Sequence, residues 1–158
     1  MGSVLMKTIS VIIAVACLVI SACSDQRYEY FGAGSEVQQS IQAQQGWVPA
    51  WFPVEAKEIH VQYDVDSFQR WFRFKLDKAT QKSFTRNFRL VGRDEAKNLN
   101  VSPPRNAEWW FTGLIQTQPS SNTALRADIY LRNADKMPEK AYLAISKTDD
   151  TVFLWLER

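Results

Sequence analysis

The chain has 158 residues, a formal charge of +2 and a single histidine, with two cysteines, Cys17 and Cys23. That balance gives no electrostatic reason to expect a nucleic-acid partner. One imidazole also excludes metal sites built on two or three histidines, and two cysteines this placed exclude a disulfide framework.

The first element follows Met6-Lys7, where residues 9–20 are almost wholly apolar and Ser21 and Ala22 are small. A charged start, an apolar run and a small-residue cleavage region predict a signal peptide over residues 1–22. The run is too short for a comfortable span, which takes roughly 20 apolar residues. It ends in Ile20-Ser21-Ala22-Cys23. This tetrad resembles the lipobox of bacterial prolipoproteins, whose cysteine receives diacylglycerol, becomes the new N-terminus and is then usually acylated again. The resemblance implies lipidation of Cys23, palmitate-type chains as the only bound group, no other cofactor, and a membrane partner reached through the lipid. Several acyl chains give stable anchoring at ~0.8 kcal/mol per buried CH₂. Ser24 stands where a sorting Asp would, so the same resemblance implies the outer membrane facing the periplasm. Asp25 leaves the inner membrane open, and the cell surface is a further location. The alternative is an ordinary secretory leader with Cys23 as a spare thiol.

Cleavage before Cys23 leaves one domain's length, and all six Trp, five Tyr and nine Phe lie beyond it. Such a segment can bury a substantial core without a crosslink. Residues 23–34 are expected to be the lipidated cysteine and a tether, because Ser24 to Gly34 lacks clear periodicity; at ~3.3 Å per residue it reaches up to ~35 Å. Residues 35–158 are expected to form the globular domain. Ser35 is a candidate cap for a short helix with Val37 and Ile41 on one face and Gly46 as its stop. In Trp47-Val48-Pro49-Ala50-Trp51-Phe52-Pro53 the two prolines forbid regular structure while the rings demand burial, which predicts an aromatic plug.

Ile59, Val61, Tyr63 and Val65 alternate with polar residues, as do Phe72, Phe74 and Leu76 after Asp66-Ser67. Period two on both sides of a turn predicts a β-hairpin with one buried face. Trp71 then shares the other face with His60. From Asp77 to Gly92 the spacing of Phe84, Phe88 and Val91 predicts a helix, with Lys78, Lys82, Arg86, Arg89 and Arg93 as a basic stripe opposite. Such a stripe is ordinarily solvated, but clustered cations also suit an anionic surface. Residues 94–98 read as a helical turn, Pro103-Pro104 as a break, and Trp109-Trp110-Phe111 as a short strand or a lid. Residues 119–122 read as a loop. Residues 125–132 alternate as a further strand, and residues 141–147 and 151–157 as a closing hairpin. The fold class expected from this reading is α+β: a single small domain with a mainly antiparallel sheet of about five strands and two or three helices packed on one face.

The order of Gly46-Trp47-Val48-Pro49, the hairpin from Ile59-His60 through Asp64-Val65-Asp66, Trp71 with Phe72 and Phe74, Trp109-Trp110 and the closing hairpin is similar to small bacterial lipoproteins with YbbD head-like domains. The resemblance spans most of residues 28–157. It implies an α+β fold and no catalytic residues.

Three functions fit these residues. The first is a non-catalytic envelope binding module, docking an envelope protein or an anionic envelope polymer through Trp71, Trp109, Trp110, Lys82, Arg86 and Arg89. The second is an immunity or inhibitor lipoprotein directed at an envelope-active toxin or enzyme. The third is an envelope hydrolase with His60 as base, Asp64 or Asp66 orienting it and Ser67 as nucleophile. Asp64-Val65-Asp66 also opens like a calcium loop, but Phe68 occupies a later ligand position and no Gly stands sixth.

Overall fold

A computed structural model describes residues 25–99, 101–110, 126–133 and 139–157. Cys23 with the leader, Phe111, the loop at residues 119–122, Leu125 and the first part of the expected connection after Asn133 lie outside them. The described elements are strands β1 (Gln26–Ala33), β2 (Lys57–Asp64), β3 (Arg70–Lys75), β4 (Arg89–Leu90), β5 (Ala127–Asn133), β6 (Lys140–Ser146) and β7 (Thr151–Glu157). Between them lie helices α1 (Gly34–Gln39), α2 (Ile41–Gln44), α3 (Lys78–Phe84) and α4 (Arg93–Lys97), and a 3₁₀ turn at Thr85–Asn87. The strands form one antiparallel sheet in the order β1-β2-β3-β7-β6-β5-β4.

The expected sheet of about five strands with helices on one face is therefore corrected to seven strands carrying short helical pieces. Two strands account for the difference. Residues 26–33, read as tether, are β1, paired with β2 from Gln26 opposite Asp64 to Ala33 opposite Lys57. Residues 89–90, read as helix, are β4, with Arg89 opposite Leu131 and Val91 N–H donating to Ile129 O at 2.8 Å.

The helix starting at Asp77 is real but short. Asp77 Oδ1 accepts from the N–H groups of Ala79 and Thr80, both at 3.0 Å, the expected N-cap geometry. It tightens after Phe84 because the two faces of the sheet compete for its apolar residues. Phe88 buries on the first face and Val91 on the second, which an extended chain achieves and a continuous helix does not. The helix after Ser35 is also interrupted. Ser40 caps α2 by accepting from Ala43 N–H at 3.2 Å, leaving Val37 fully buried while Ile41 is 64% exposed. Gly46 follows with φ +81, the left-handed position that ends a helix.

Over the middle of the sheet both faces are covered, which explains the six consecutive buried residues of β7. The first face carries Ile59, Val61, Phe72, Phe74, Leu143 and Leu154 under α1, the 47–56 segment and Phe88. Here the expected aromatic plug forms. Trp47 stacks on Tyr63 at 4.7 Å, Phe52 meets Phe72 and Phe74 at 5.3 and 5.0 Å, and Trp51 lies under the Arg132 guanidinium at 4.8 Å. The plug closes tightly on the start of α1. A methyl group added at Gly34 would stand 2.3 Å from Pro53 O and 2.8 Å from the Val54 backbone. The second face carries Trp71, Ile129, Tyr142, Phe153 and Trp155, covered by Val91, Ala96, Val101 and Trp110. Residues 91–99 and 101–110 thus roof this face from the β5 side as far as β3.

Candidate functional site

Beyond that roof, over β1 and β2, the described residues leave the second face largely open. Period two sends Tyr28 and Tyr30 of β1, His60 and Gln62 of β2 and Arg73 of β3 to this side. Register then aligns them, with Tyr30 opposite His60, His60 opposite Arg73, and Tyr28 opposite Gln62. Trp109 leans over from the roof, its ring stacked on His60 at 5.5 Å and 18°. Tyr30 meets the imidazole edge-on at 5.2 Å, and Tyr28 lies 6.1 Å from both His60 and Trp109. Tyr28 and Tyr30 are 51% and 55% exposed, an unusual position for two large rings.

Next to the rings is an open cleft of about 440 Å³ lined by Gln26, Tyr28, Gln62, Arg105, Asn106, Glu108 and Trp109. Its floor is fastened by amides. Gln62 Nε2 donates to Gln26 Oε1 at 2.8 Å and to Arg105 O at 2.9 Å, while Arg105 N–H donates to Gln26 Oε1 at 2.9 Å. Gln62 is buried, so these bonds satisfy an amide that burial would otherwise penalise by about 1–3 kcal/mol. They also tie the 105–106 turn to the sheet, leaving the exposed side chains of Arg105, Asn106 and Glu108 around the rim.

The imidazole lies between two partners. Its Nε2 is 3.5 Å from an Arg73 Nη1, and its Nδ1 is 2.9 Å from the Tyr28 hydroxyl. A guanidinium only donates, so the neutral ring accepts at Nε2 and donates from Nδ1 to Tyr28 Oη. Partial burial and then the Arg73 charge lower the His60 pKa from 6.5, with Glu58 opposing. Protonation of the folded protein thus requires a lower pH than protonation of the unfolded chain. The contribution of His60 to stability is intact above 6.5 and is lost as pH falls through the lowered folded value. Unfolding curves between about pH 7 and about pH 5 should show the wild type losing stability relative to His60→Gln. Parallel curves would mean that the ring is as solvated folded as unfolded.

Neither expected carboxylate faces this ring. Asp64 lies four residues further along β2, ~13 Å at 3.3 Å per residue. Its Oδ1 accepts from Asp66 and Ser67 N–H at 3.0 and 2.9 Å, and its Oδ2 from Gln26 at 3.1 Å. Those turn contacts, the Ser67 N–H first among them, hold its pKa below the ordinary value. Ser67 Oγ likewise accepts from Gln69 N–H at 3.4 Å. Asp64 and Ser67 thus bond to each other within the turn, while His60 is partnered by Tyr28 and Arg73 and by neither of them. Among the described residues, no three His, Cys, Asp or Glu side chains converge as metal ligands would.

Of the other residues expected to bind, Trp109 joins the open face and Trp71 and Trp110 do not. Trp71 is 2% exposed with Nε1 donating to Ser102 O at 2.8 Å, and Trp110 is 6% exposed against Phe153 and Trp155. Trp71 is core because the 101–110 segment covers it, and Trp110 because it is the part of that segment that packs down on the sheet. The basic stripe is corrected as well, since its members are spread over α3, the 3₁₀ turn, β4 and α4. Lys82 and Arg86 are exposed, whereas Arg89 is engaged bidentately by Glu95 at 2.8 and 2.7 Å and Lys78 donates to Ser146 O and Asp149 O. Sequence reasoning missed Tyr28, Tyr30, Arg73 and the amide pair. The signal for the tyrosines was the alternation Arg27-Tyr28-Glu29-Tyr30, legible only if residues 26–33 are taken as a strand.

Residues 25–75 match the family model of the YbbD head domain. The matched part runs from just before β1 to the end of β3, so it contains Tyr28, Tyr30, His60 and Arg73 but not Trp109. It is narrower than the 28–157 span of the sequence resemblance. No curated protein and no solved structure matches the chain. Within the YbbD head-like part, β1 and β2 build the floor of the open face, and the rest of the chain supplies its wall.

Proposed function

We propose that this chain is a lipid-anchored lipoprotein of the bacterial envelope that acts as a non-catalytic binding module. Cys23 carries the diacylglycerol and N-acyl chains, and the domain is held at the outer membrane facing the periplasm. The observation that carries the binding reading is the uncovered ring cluster of Tyr28, Tyr30, His60 and Trp109 beside its cleft. Exposed aromatic residues set among polar side chains are characteristic of recognition surfaces. Arg73 and Arg105 place cations beside the rings, which suits an envelope protein with an acidic patch or an anionic envelope polymer.

The reading makes two linked demands. Cys23→Ala is expected to abolish fatty-acid labelling and release the protein from membranes. Tyr30→Ala with Trp109→Ala is expected to lose the species that the wild type captures by crosslinking in intact envelopes. Membrane association persisting without labelling would refute the anchor. Capture no greater than that of a domain-deleted control would refute the binding module.

A further inference from the structure

β1 is the outermost strand of the sheet, and among the described residues no strand pairs with its far side. It runs for eight residues, against two for β4 at the opposite edge. An edge of that length is normally blunted by proline, by charged side chains or by a bulge; Gln26–Ala33 holds no proline, and its two charges, Arg27 and Glu29, are of opposite sign.

The backbone groups facing outward can be assigned. Val65 N–H donates to Asp25 O, and the same register sets Arg27 opposite Tyr63, Glu29 opposite Val61 and Phe31 opposite Ile59. Antiparallel pairs alternate between hydrogen-bonded and non-hydrogen-bonded, so the odd residues bond to β2. The N–H and C=O groups of Gln26, Tyr28 and Tyr30 point away from the sheet. Gly32 N–H is also turned from β2 and is taken by Glu36 Oε2 at 2.9 Å.

The side chains of this edge complement themselves. Mating β1 antiparallel with another β1 about a two-fold axis at Tyr28 sets Tyr28 against Tyr28, Gln26 against Tyr30, and Arg27 against Glu29 of the second copy. The symmetry repeats the Arg–Glu pair, and every outward group of residues 26, 28 and 30 gains a partner. Shifting the axis to Glu29 opposes like charges, which cross-strand neighbours disfavour. Shifting it to Tyr30 calls on the Gly32 N–H that Glu36 already holds.

We infer that β1 is a self-association edge, along which two copies of this chain join their sheets into one with the two-fold axis at Tyr28. This isologous contact rests on backbone polarity and on Arg27 and Glu29, and it is independent of what the ring face binds. Sedimentation velocity of the full chain in detergent, over about 1–100 µM, tests it. The wild type is expected to dimerise and Arg27→Glu to weaken the dimer by about tenfold or more. Arg27→Glu combined with Glu29→Arg is expected to restore it, because each charge then meets its opposite again. Tyr30→Pro removes an outward N–H that no strand in the sheet uses, together with a ring that is 55% exposed; it is expected to abolish the dimer with the circular dichroism unchanged, whereas Tyr30→Ala, which loses the ring and keeps the N–H, is expected to dimerise. A monomeric wild type would overturn the inference, as would an Arg27→Glu variant that dimerises normally. A folded double swap that stays monomeric would overturn it too, because Arg27 and Glu29 would then not pair across the two-fold axis.

Discussion

Trp155→Ala is expected to destabilise the protein by about 4 kcal/mol, the largest loss from any single ring on the second face. Trp155 is 1% exposed and sits mid-strand in β7 between Trp71 of β3 and Tyr142 of β6. It stacks on Tyr142 at 5.1 Å and 12°, and Trp110 meets it edge-on at 6.3 Å and 90°. Truncation removes the transfer energy of an indole and leaves a hole between two strands fixed by their hydrogen bonds, so the site cannot collapse. At roughly 2–4 °C per kcal/mol for a domain of this size, the midpoint of thermal unfolding should fall by about 10 °C or more. Urea unfolding followed by far-UV circular dichroism measures the loss directly. A loss below about 1 kcal/mol would mean that the 101–110 roof does not close over this face.

Glu139→Ala is the second large effect, with an expected cost of about 3 kcal/mol. Arg70 begins β3 on the first face, between Tyr63 and Leu156, with its side chain 9% exposed. It forms an ion pair with Glu139, itself 19% exposed, and its Nη1 donates to Gly46 O at 2.9 Å. Removing the carboxylate leaves a guanidinium buried with less compensation, which is costlier than the pair itself is stabilising. The double variant Arg70→Met with Glu139→Leu should therefore recover most of the loss. Denaturation of the single and double variants checks this, and a double variant no more stable than Glu139→Ala would show that burial of charge is not the cause.

These two sites mark the boundary of what the sequence discloses. The β2–β3 hairpin was legible because its alternation is local and strong, the β6–β7 hairpin because Thr148-Asp149-Asp150 is a turn between two apolar runs, and the capping role of Asp77 because it acts within one turn. β1 was not, since an edge strand with one open face buries little: its two tyrosines stay exposed and its apolar periodicity is faint. β4 was hidden inside helical spacing because Phe84, Phe88 and Val91 fit period 3.6, although they are divided between two faces.

The candidate site was half readable for the same reason. His60 and Trp109 stood out as residue types, but their shared face exists only through the partners that β1 brings. Trp71, Trp109 and Trp110 were indistinguishable in sequence, because exposure depends on where the 101–110 segment lies across the sheet. The Arg70–Glu139 pair likewise joins residues far apart along the chain, beyond the reach of any local pattern.

The central claim is that the ring face of an anchored domain is its contact surface. The direct measurement places a photo-crosslinking residue at position 108 on the cleft rim, and separately at position 82, an exposed position of α3 that does not line the cleft, in otherwise intact chain within living cells. The account predicts a discrete adduct at position 108 with a mass different from twice the chain, lost when Tyr28 and Tyr30 are changed to alanine, and none at position 82. Equal adducts at both positions, or none at 108, would contradict it.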